Sequence, residues 1–278
     1  MDTLDLNPQA KQMADESMVR TLAAQTRAIW PQEQTLVRRY GLPDHIAILD
    51  AGCGTGECSR RLAELFPNAR VLGVDVEDAH LRLARSRSVA LGPRVTFEHQ
   101  SIFELKSADG AFDLTVCRHV LHALPRADRA LAELVRVTRP GGRLHLIVED
   151  YGMLHYERGV PDPQEFWNEG PAAFGRATGT DLFIGRNAYG LLRRLGLADI
   201  RIDYVVVDTL RVRRETFAEI MTAWRDGYAD AVAAASRFTP AEVVAYFDRM
   251  IANILDPEGY AVWMVPVVGA RVPERGVR

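Results

Sequence analysis

Ile48-Leu49-Asp50-Ala51-Gly52-Cys53-Gly54-Thr55-Gly56 is the stretch whose reading decides the fold. It closes a short run of β-formers, Ile46–Asp50, and opens Glu57–Phe66, whose apolar residues recur at helical period. Glycines at such a strand-to-helix junction let the backbone turn tightly and approach a ligand without a Cβ in the way. The helix N-terminus behind them is expected to offer free N–H groups to a polar or anionic ligand. A dinucleotide fingerprint is spaced G-x-G-x-x-G. Here the spacing is G-x-G-x-G, and Glu57 stands where the third dinucleotide glycine would be. A glutamate there repels a pyrophosphate. With Asp50 ahead of the loop, the pattern suits a ligand with cationic groups rather than two phosphates.

Downstream, strands and helices alternate. Arg70–Asp75, Arg94–Glu98, Phe112–Cys117 and Arg143–Glu149 read as strands. Asp78–Leu91 and Ala127–Thr138 read as helices, and Arg139–Gly142 as a turn. Strands separated by helices mean βαβ units and a parallel sheet covered on both faces. After Asp150 the rhythm breaks. Residues 151–183, rich in glycine, proline and aromatics, suit an irregular lid. A helix at Arg186–Leu195, a strand at Ile200–Asp208, helices at Glu215–Ser236 and Pro240–Leu255, and a β-rich run at Tyr260–Val268 follow. Upstream, residues 1–45 read as helical, broken at Pro31, with a second helix Gln32–Tyr40 ending at Gly41. The expected division is a helical cap over 1–45, a ligand-binding core over 46–150, and the rest of one catalytic domain over 151–278. That last part carries the lid insertion 151–183 and a helical insertion 215–255.

Composition narrows the class. In 278 residues, 47% are apolar and 26% charged, which suits a globular chain that buries its own core. A net charge of −3 gives no general pull toward nucleic acid or anionic membrane. The only lysines are Lys11 and Lys106, and arginine with alanine dominates, a bias expected of a GC-rich bacterial genome. No apolar run is long enough to span a bilayer, and the polar start lacks the pattern of a signal peptide. Cys53, Cys58 and Cys117 lack paired spacing, so reduced thiols in a cytoplasm and no metal site are expected.

The stretch DAGCGTG resembles motif I of class I S-adenosylmethionine-dependent methyltransferases, and the resemblance runs in order over residues 46–150. Leu72-Gly73-Val74-Asp75 resembles the second strand, whose acid takes both ribose hydroxyls; a carboxylate accepts two hydrogen bonds side by side. His99-Gln100-Ser101-Ile102 follows the third strand. The position of Ser101 is usually acidic and binds the adenine amino group, so serine departs from the pattern, while Ile102 packs on the base. Phe112–Leu124 resembles the fourth strand and its loop, and Arg139–Leu144 the turn before the fifth. The resemblance implies cofactor contacts from Asp50, Gly52, Gly54, Gly56, Asp75, Val76, Ser101, Ile102, Arg118 and His119. It implies a Rossmann-like α/β fold: a seven-stranded, mostly parallel sheet with an antiparallel last strand and helices on both faces, plus N-terminal helices and lid insertions. It implies methyl transfer from S-adenosylmethionine to an O, N, S or C atom of a small molecule, in secondary metabolism. Ubiquinone/menaquinone-biosynthesis-like and natural-product methyltransferases are the nearest in kind. Cys117-Arg118-His119-Val120 is not the Asn/Asp-Pro-Pro-aromatic motif of nucleobase or glutamine methylation. A nicotinamide oxidoreductase and a non-catalytic S-adenosylmethionine-binding partner are the alternatives. The expected partner is a small molecule, with neither nucleic acid nor membrane, and a homodimer is left open.

For acid–base work, His122, Glu149 and Asp150 are the candidates. They follow the fourth and fifth strands, at the carboxyl edge where parallel sheets bind ligands, and an imidazole takes a proton readily near neutral pH. Adjacent strand residues point to opposite faces, so one of Glu149 and Asp150 is expected to face the site. The plain alternatives are that the histidines pack in the loop, that the acids cap the strand and that Asp50 caps its helix. Tyr151, His155, Tyr156, Phe166, Trp167 and Phe174 read as a lid core or a pocket wall. Arg211–Arg214 reads as a solvated turn.

Overall fold

The computed structural model describes residues 5–274. Residues 1–4 and 275–278, the outer ends of the expected cap and C-terminal segment, lie outside the described residues. A short turn of helix, α1 (Ala10–Met13), leads into α2 (Glu16–Arg38), which Asp15 caps by accepting from Ser17 N. The core then alternates: β1 (Ala47–Ala51), α3 (Glu57–Leu65), β2 (Arg70–Asp75), α4 (Asp78–Arg87), β3 (Val95–His99), β4 (Phe112–Arg118), α5 (Ala127–Val137) and β5 (Thr138–Ile147). After it come β6 (Leu154–Tyr156), α6 (Pro163–Thr178), α7 (Ala188–Arg194), β7 (Ala198–Asp208), α8 (Arg214–Ala235), α9 (Pro240–Leu255) and β8 (Ala261–Arg271).

The sheet runs β3-β2-β1-β4-β5-β8, with β7 on the far edge of β8. Strands β1 to β5 pair in parallel, and β8 is antiparallel to β5 and β7. The three-residue β6 is added beside β5, also antiparallel to β8. Strand β1 is buried over Ile48–Ala51, as a central parallel strand must be when helices cover both faces. Two apolar clusters fill those faces. One holds Leu131, Leu134 and Leu192 from α5 and α7; the other holds Val37, Leu62 and Leu81 from α2, α3 and α4. The carboxyl ends of β1, β2, β4 and β5 therefore meet at one edge.

Four expectations are corrected. Helix α2 does not break at Pro31 but continues through it for 23 residues. Proline removes one backbone donor, while burial of Ile29, Trp30, Glu33 and Val37 on both sides holds the helix in place. Residues 151–183 are not irregular: they contain β6 and the 16-residue α6, started by Asp162 and Pro163 and ended by Gly179 in the left-handed region. Phe166, Trp167 and Phe174 are buried in a third cluster with Trp224, Phe247 and Trp263. The ring of Phe166 lies 5.0 Å from that of Trp167, edge to face. Arg214 is no solvated turn residue either, since its guanidinium donates to the carbonyls of Ile254 and Gly259 and ties α8 to the end of α9. The turn expected at Arg139–Gly142 is a bulge in β5, where the register moves from Phe112↔Thr138 to Leu114↔Arg143.

Gln32, one residue past the proline, clamps the sheet. Its Nε2 donates to Val206 O at 2.8 Å and its Oε1 accepts from Val206 N at 3.2 Å, closing part of the open edge of β7. Gln32→Ala removes both bonds and is expected to cost about 1–2 kcal/mol in urea unfolding. An unchanged midpoint would show that the clamp contributes nothing to stability.

Candidate functional site

The loop after β1 is shaped by close approach. Gly52 (φ +73°) and Gly54 (φ +50°) take conformations that side chains rarely adopt. A Cβ on Gly52 would lie 2.3 Å from Val120 Cγ2, and one on Gly54 2.6 Å from Leu22 Cδ1 of α2. Four N–H groups of the loop itself are engaged within the protein. Gly52 N and Cys53 N donate to Val74 O, Gly56 N to Cys53 O, and Gly54 N to Asp75 Oδ2 at 2.8 Å. At Gly52 and Gly54 the loop therefore contributes space and shape.

Beside it opens a cleft of about 190 Å³. Gly52, Gly54, Asp75 and Val76 line one stretch, Ser101 and Ile102 another, and Arg118, His119, His122 and Glu149 the floor. Asp75 also accepts from Glu77 N at 2.9 Å, so both its oxygens are fixed by backbone donors while the carboxylate still faces the cleft. Ser101 Oγ accepts from Phe103 N at 3.3 Å.

Three expected residues do not line the cleft. Gly56 lies behind the loop, where a Cβ would sit 2.9 Å from Phe97 Cζ, so its smallness serves packing of α3 on the sheet. Asp50 is buried and accepts from the Ser59 hydroxyl at 2.6 Å. Asp150 points the other way from Glu149, as alternation requires. It caps the turn Tyr151–Met153 through Gly152 N and holds Arg186 by two hydrogen bonds, at 2.7 and 2.6 Å.

Glu149 has no solvent exposure and is shared by two imidazoles. His119 Nδ1 hydrogen-bonds Glu149 Oε1, and His122 Nδ1 lies 2.7 Å from Oε2, off the line of a hydrogen bond. Burial by itself would raise the Glu149 carboxyl; the charges of His122 and His119 outweigh it and hold it well below the usual carboxylate range. His119 sits at φ +58°, a strained backbone for a residue with a Cβ. Its Nε2 is sealed and without a partner, whereas Nε2 of His122 is neither sealed nor bonded to the protein among the described residues.

Sequence profiles of the methyltransferase domain family match residues 48–142. Trans-aconitate 2-methyltransferase of Deinococcus radiodurans is 37% identical over 157 residues, 55% of this chain and 58% of that one. Residues 48–142 thus carry the methyltransferase domain, set within a mostly parallel sheet flanked by helices. Among solved structures, the cyclase SpnF superposes with a TM-score of 0.61 at 23% identity over 99% of this chain and 98% of that one. Phosphoethanolamine N-methyltransferase 2 of Haemonchus contortus, in complex with S-adenosylhomocysteine, gives 0.57 at 19% identity over 88% and 53%. At these identities the likeness is one of fold. The chain spans 25% to 58% of the length of the curated relatives it matches. Among the described residues, no helix is long and apolar enough to cross a membrane.

Several residues of the cleft escape sequence reading. Met18, Thr21, Leu22 and Gln25 reach it from α2, Trp224 and Tyr228 from α8, and His80 from α4. The pair Trp224 and Tyr228, four apart on one helix face, is the one local signal. Of the aromatics in 151–183, only Tyr151 reaches the cleft, its ring 5.3 Å from Trp224 and 5.8 Å from His122. Beneath the floor, Glu33 of α2 lies 2.8 Å from Arg118 Nε and accepts from His145 Nε2 at 3.0 Å, and Tyr40 donates to His145 Nδ1 at 2.8 Å. A hint of this lay in the sequence: Ile29, Glu33 and Val37 form one stripe, and the acid in it is buried.

Burial pushes the Asp50 carboxyl up to about 6 against an ordinary 3.8, with the Ser59 hydroxyl opposing. Between those values the folded chain holds a proton that the unfolded chain has released, so stability falls as pH rises through that window. Asp50→Asn keeps the size and is expected to be more stable than the parent above pH 6, by on the order of 2–3 kcal/mol, converging with it below about pH 4. Thermal unfolding at pH 4 and pH 8 checks this. A difference that is the same at both would mean that Asp50 does not titrate between them.

Proposed function

We propose that this chain transfers a methyl group from S-adenosylmethionine to a hydroxyl of a planar, uncharged small molecule, with His122 as base. The observation that carries the reading is the carboxylate of Glu149 shared by two imidazoles at the ends of β4 and β5, on the floor of the cleft beside Asp75 and the glycine loop.

The cleft fits that cofactor. The fixed carboxylate of Asp75 suits two ribose hydroxyls, and Val76, 45% exposed, with Ile102 gives apolar cover for a base. Ser101 offers its hydroxyl where the family's acid would stand. Glycines at 52 and 54 keep the loop clear of anything lying across it. When bound, S-adenosylmethionine supplies an electrophilic methyl on a sulfonium that leaves as a neutral thioether.

Glu149 holds the Nδ1 side of His122, so the ring keeps its proton there and turns a lone pair at Nε2 toward the acceptor. As the acceptor oxygen gains the methyl, its proton passes to His122 Nε2, and Glu149 stabilises the resulting imidazolium. His119 hydrogen-bonds the same carboxylate and fixes its orientation. Tyr151, Trp224, Tyr228 and Met18 wall this end with rings and a thioether, which favours a flat acceptor. Among the described residues, Arg118 is the only arginine or lysine lining the cleft, and it faces Glu33. A polyanionic acceptor therefore finds no cation beside His122.

Asp75→Ala is expected to weaken S-adenosylhomocysteine binding by about 1.5–3 kcal/mol in calorimetry. Wild-type affinity in that variant would remove Asp75 from the ribose site. With a phenolic acceptor found by screening, His122→Gln is expected to lower kcat by about 10²–10⁴-fold with little change in KM for the cofactor. Glu149→Gln should fall in the same range. If both variants turn over at the parental rate, transfer needs no base and proximity alone is the better account.

A further inference from the structure

We infer that β7 is a self-pairing edge: two copies of this chain join antiparallel along Ile200–Tyr204, about a two-fold axis at Ile202, into one continuous sheet. The inference goes beyond the methyl-transfer reading and holds whatever the cleft binds.

Strand β7 ends the sheet, and only part of its outer edge is closed. Gln32 takes both the N–H and the C=O of Val206. Outward-pointing residues alternate along an antiparallel strand, so Tyr204 and Ile202 turn their N–H and C=O groups the same way. Pro266, opposite Tyr204 on β8, has no N–H to give, in keeping with that assignment. Among the described residues, no hydrogen bond from outside the ladder reaches the backbone of Ile202 or Tyr204. At the other end, the register with β8 shifts between Ala198 and Arg201, and Asp199 takes φ +48°. A clamp and a bulge thus leave Ile200–Tyr204 as the free stretch.

Its side chains divide by face. Ile202 lies opposite Val268, and Ile200 packs on the same apolar cluster, beneath α5 and α7. Tyr204 shares that face by alternation. Ile202 is nonetheless 39% exposed and Tyr204 48%. Arg201 and Asp203 occupy the other face, beside α2. Charges commonly blunt an edge strand, and a single sign would do so here by repelling a second copy. These two are of opposite sign. Arg39 takes Asp203 Oδ1 at 3.1 Å, and Arg143 and Arg271 take Asp199, while Arg201 has no ion pair among the described residues.

The charges select both partner and register. With the axis at Ile202, each Arg201 faces Asp203 of the partner subunit, Ile200 faces Tyr204 of the partner subunit, and the two copies of Ile202 exchange a pair of hydrogen bonds. An axis at Arg201 or at Asp203 would set like charges face to face. One at Tyr204 would need the backbone of Val206, which Gln32 holds. A foreign strand would have to match this alternation residue by residue, whereas a second copy supplies it by symmetry. Antiparallel pairing reverses strand direction across the axis, so the two clefts open at opposite edges of the joined sheet and neither is covered.

So short a contact lies at the small end of stable interfaces, and half-dimerisation is expected on the order of 10 µM. Sedimentation velocity on the intact chain from about 1 to 300 µM reads it. A chain that stays monomeric throughout overturns the inference. Arg201→Asp is expected to weaken the dimer by about tenfold or more, and the exchange Arg201→Asp with Asp203→Arg to restore it within about threefold. A dimer indifferent to the first change is held by another face, and the inference fails. Ile202→Cys reads the register directly. Its Cα atoms would lie about 5.5 Å apart across the axis, within disulfide reach. The chain's own Cys53, Cys58 and Cys117 are buried. Mild oxidation should link Ile202→Cys into dimers and leave Tyr204→Cys unlinked, since the latter positions would stand about 13 Å apart or more. Linking of neither variant, or of Tyr204→Cys in preference, overturns the inference, and this measurement decides should the exchanged variant not fold.

Discussion

A carboxylate sealed from water in the middle of a helix destabilises the fold unless its charge is met there. Glu33 of α2 is such a group, and its two contacts, Arg118 and His145, come from β4 and β5. Burial by itself would raise its carboxyl, yet the guanidinium and the imidazole hold it below the ordinary value. Helix α2 can satisfy Glu33 in one seating only. That seating puts Leu22 against Gly54, Gln32 against the edge of β7, and Met18, Thr21 and Gln25 along the cleft. The roof of the site is thus set by one buried ion pair about three turns along the same face of the helix from Leu22. Sliding α2 by a turn would strand the charge, open the β7 edge and leave the loop uncovered together.

Glu149 repeats the device one layer nearer the ligand. Both acids are fully buried, and both are met by histidine. They differ in what the other face of the ring meets. His145 is closed at both nitrogens, by Glu33 and Tyr40, so its proton positions are fixed and it serves structure. His122 is met at Nδ1 and left open at Nε2, toward the cleft. The same pairing thus yields a strut in one place and, in the reaction proposed, a base in the other, and the left-handed backbone of His119 is the strain borne to bring two rings to one carboxylate.

The parts legible in the sequence are those with local signatures. Strand ends at Asp75 and the glycine spacing from Gly52 to Gly56 are written in consecutive residues, and the alternation of Glu149 and Asp150 follows from the pleat alone. That Val74 O and the Asp75 carboxylate engage the N–H groups of Gly52, Cys53 and Gly54 is not legible there, because it depends on how β2 lies beside β1. Pro31 read as a break because a single proline outweighs local propensity, whereas the contacts that carry α2 across it, Gln32 to Val206 and Glu33 to Arg118, join residues far apart in the chain. The density of aromatics in 151–183 is visible in the sequence; that Phe166 and Trp167 turn inward and only Tyr151 turns to the cleft depends on α8 and α9 packing against them.

The division of labour along the chain explains why the acceptor is harder to read than the cofactor. Every residue proposed to touch nucleobase or ribose lies within 48–142, the span that matches the methyltransferase domain. The groups that face the acceptor come from elsewhere: Met18 from α2, Glu149 and Tyr151 after β5, Trp224 and Tyr228 from α8. The elements that carry the aromatics are bound into one aromatic cluster with Trp167 and Trp263, so substitutions in α6 or β8 move the acceptor wall without touching the cofactor. Rings locked edge to face have little rotamer freedom. A wall built this way favours selection by shape, with Nε2 of His122 as a polar atom left unpaired at that end. For the hydroxyl transfer proposed, selection by shape with one fixed proton acceptor would discriminate among flat acceptors by where the hydroxyl falls relative to Nε2, because a positional isomer fills the same space but leaves its proton out of reach.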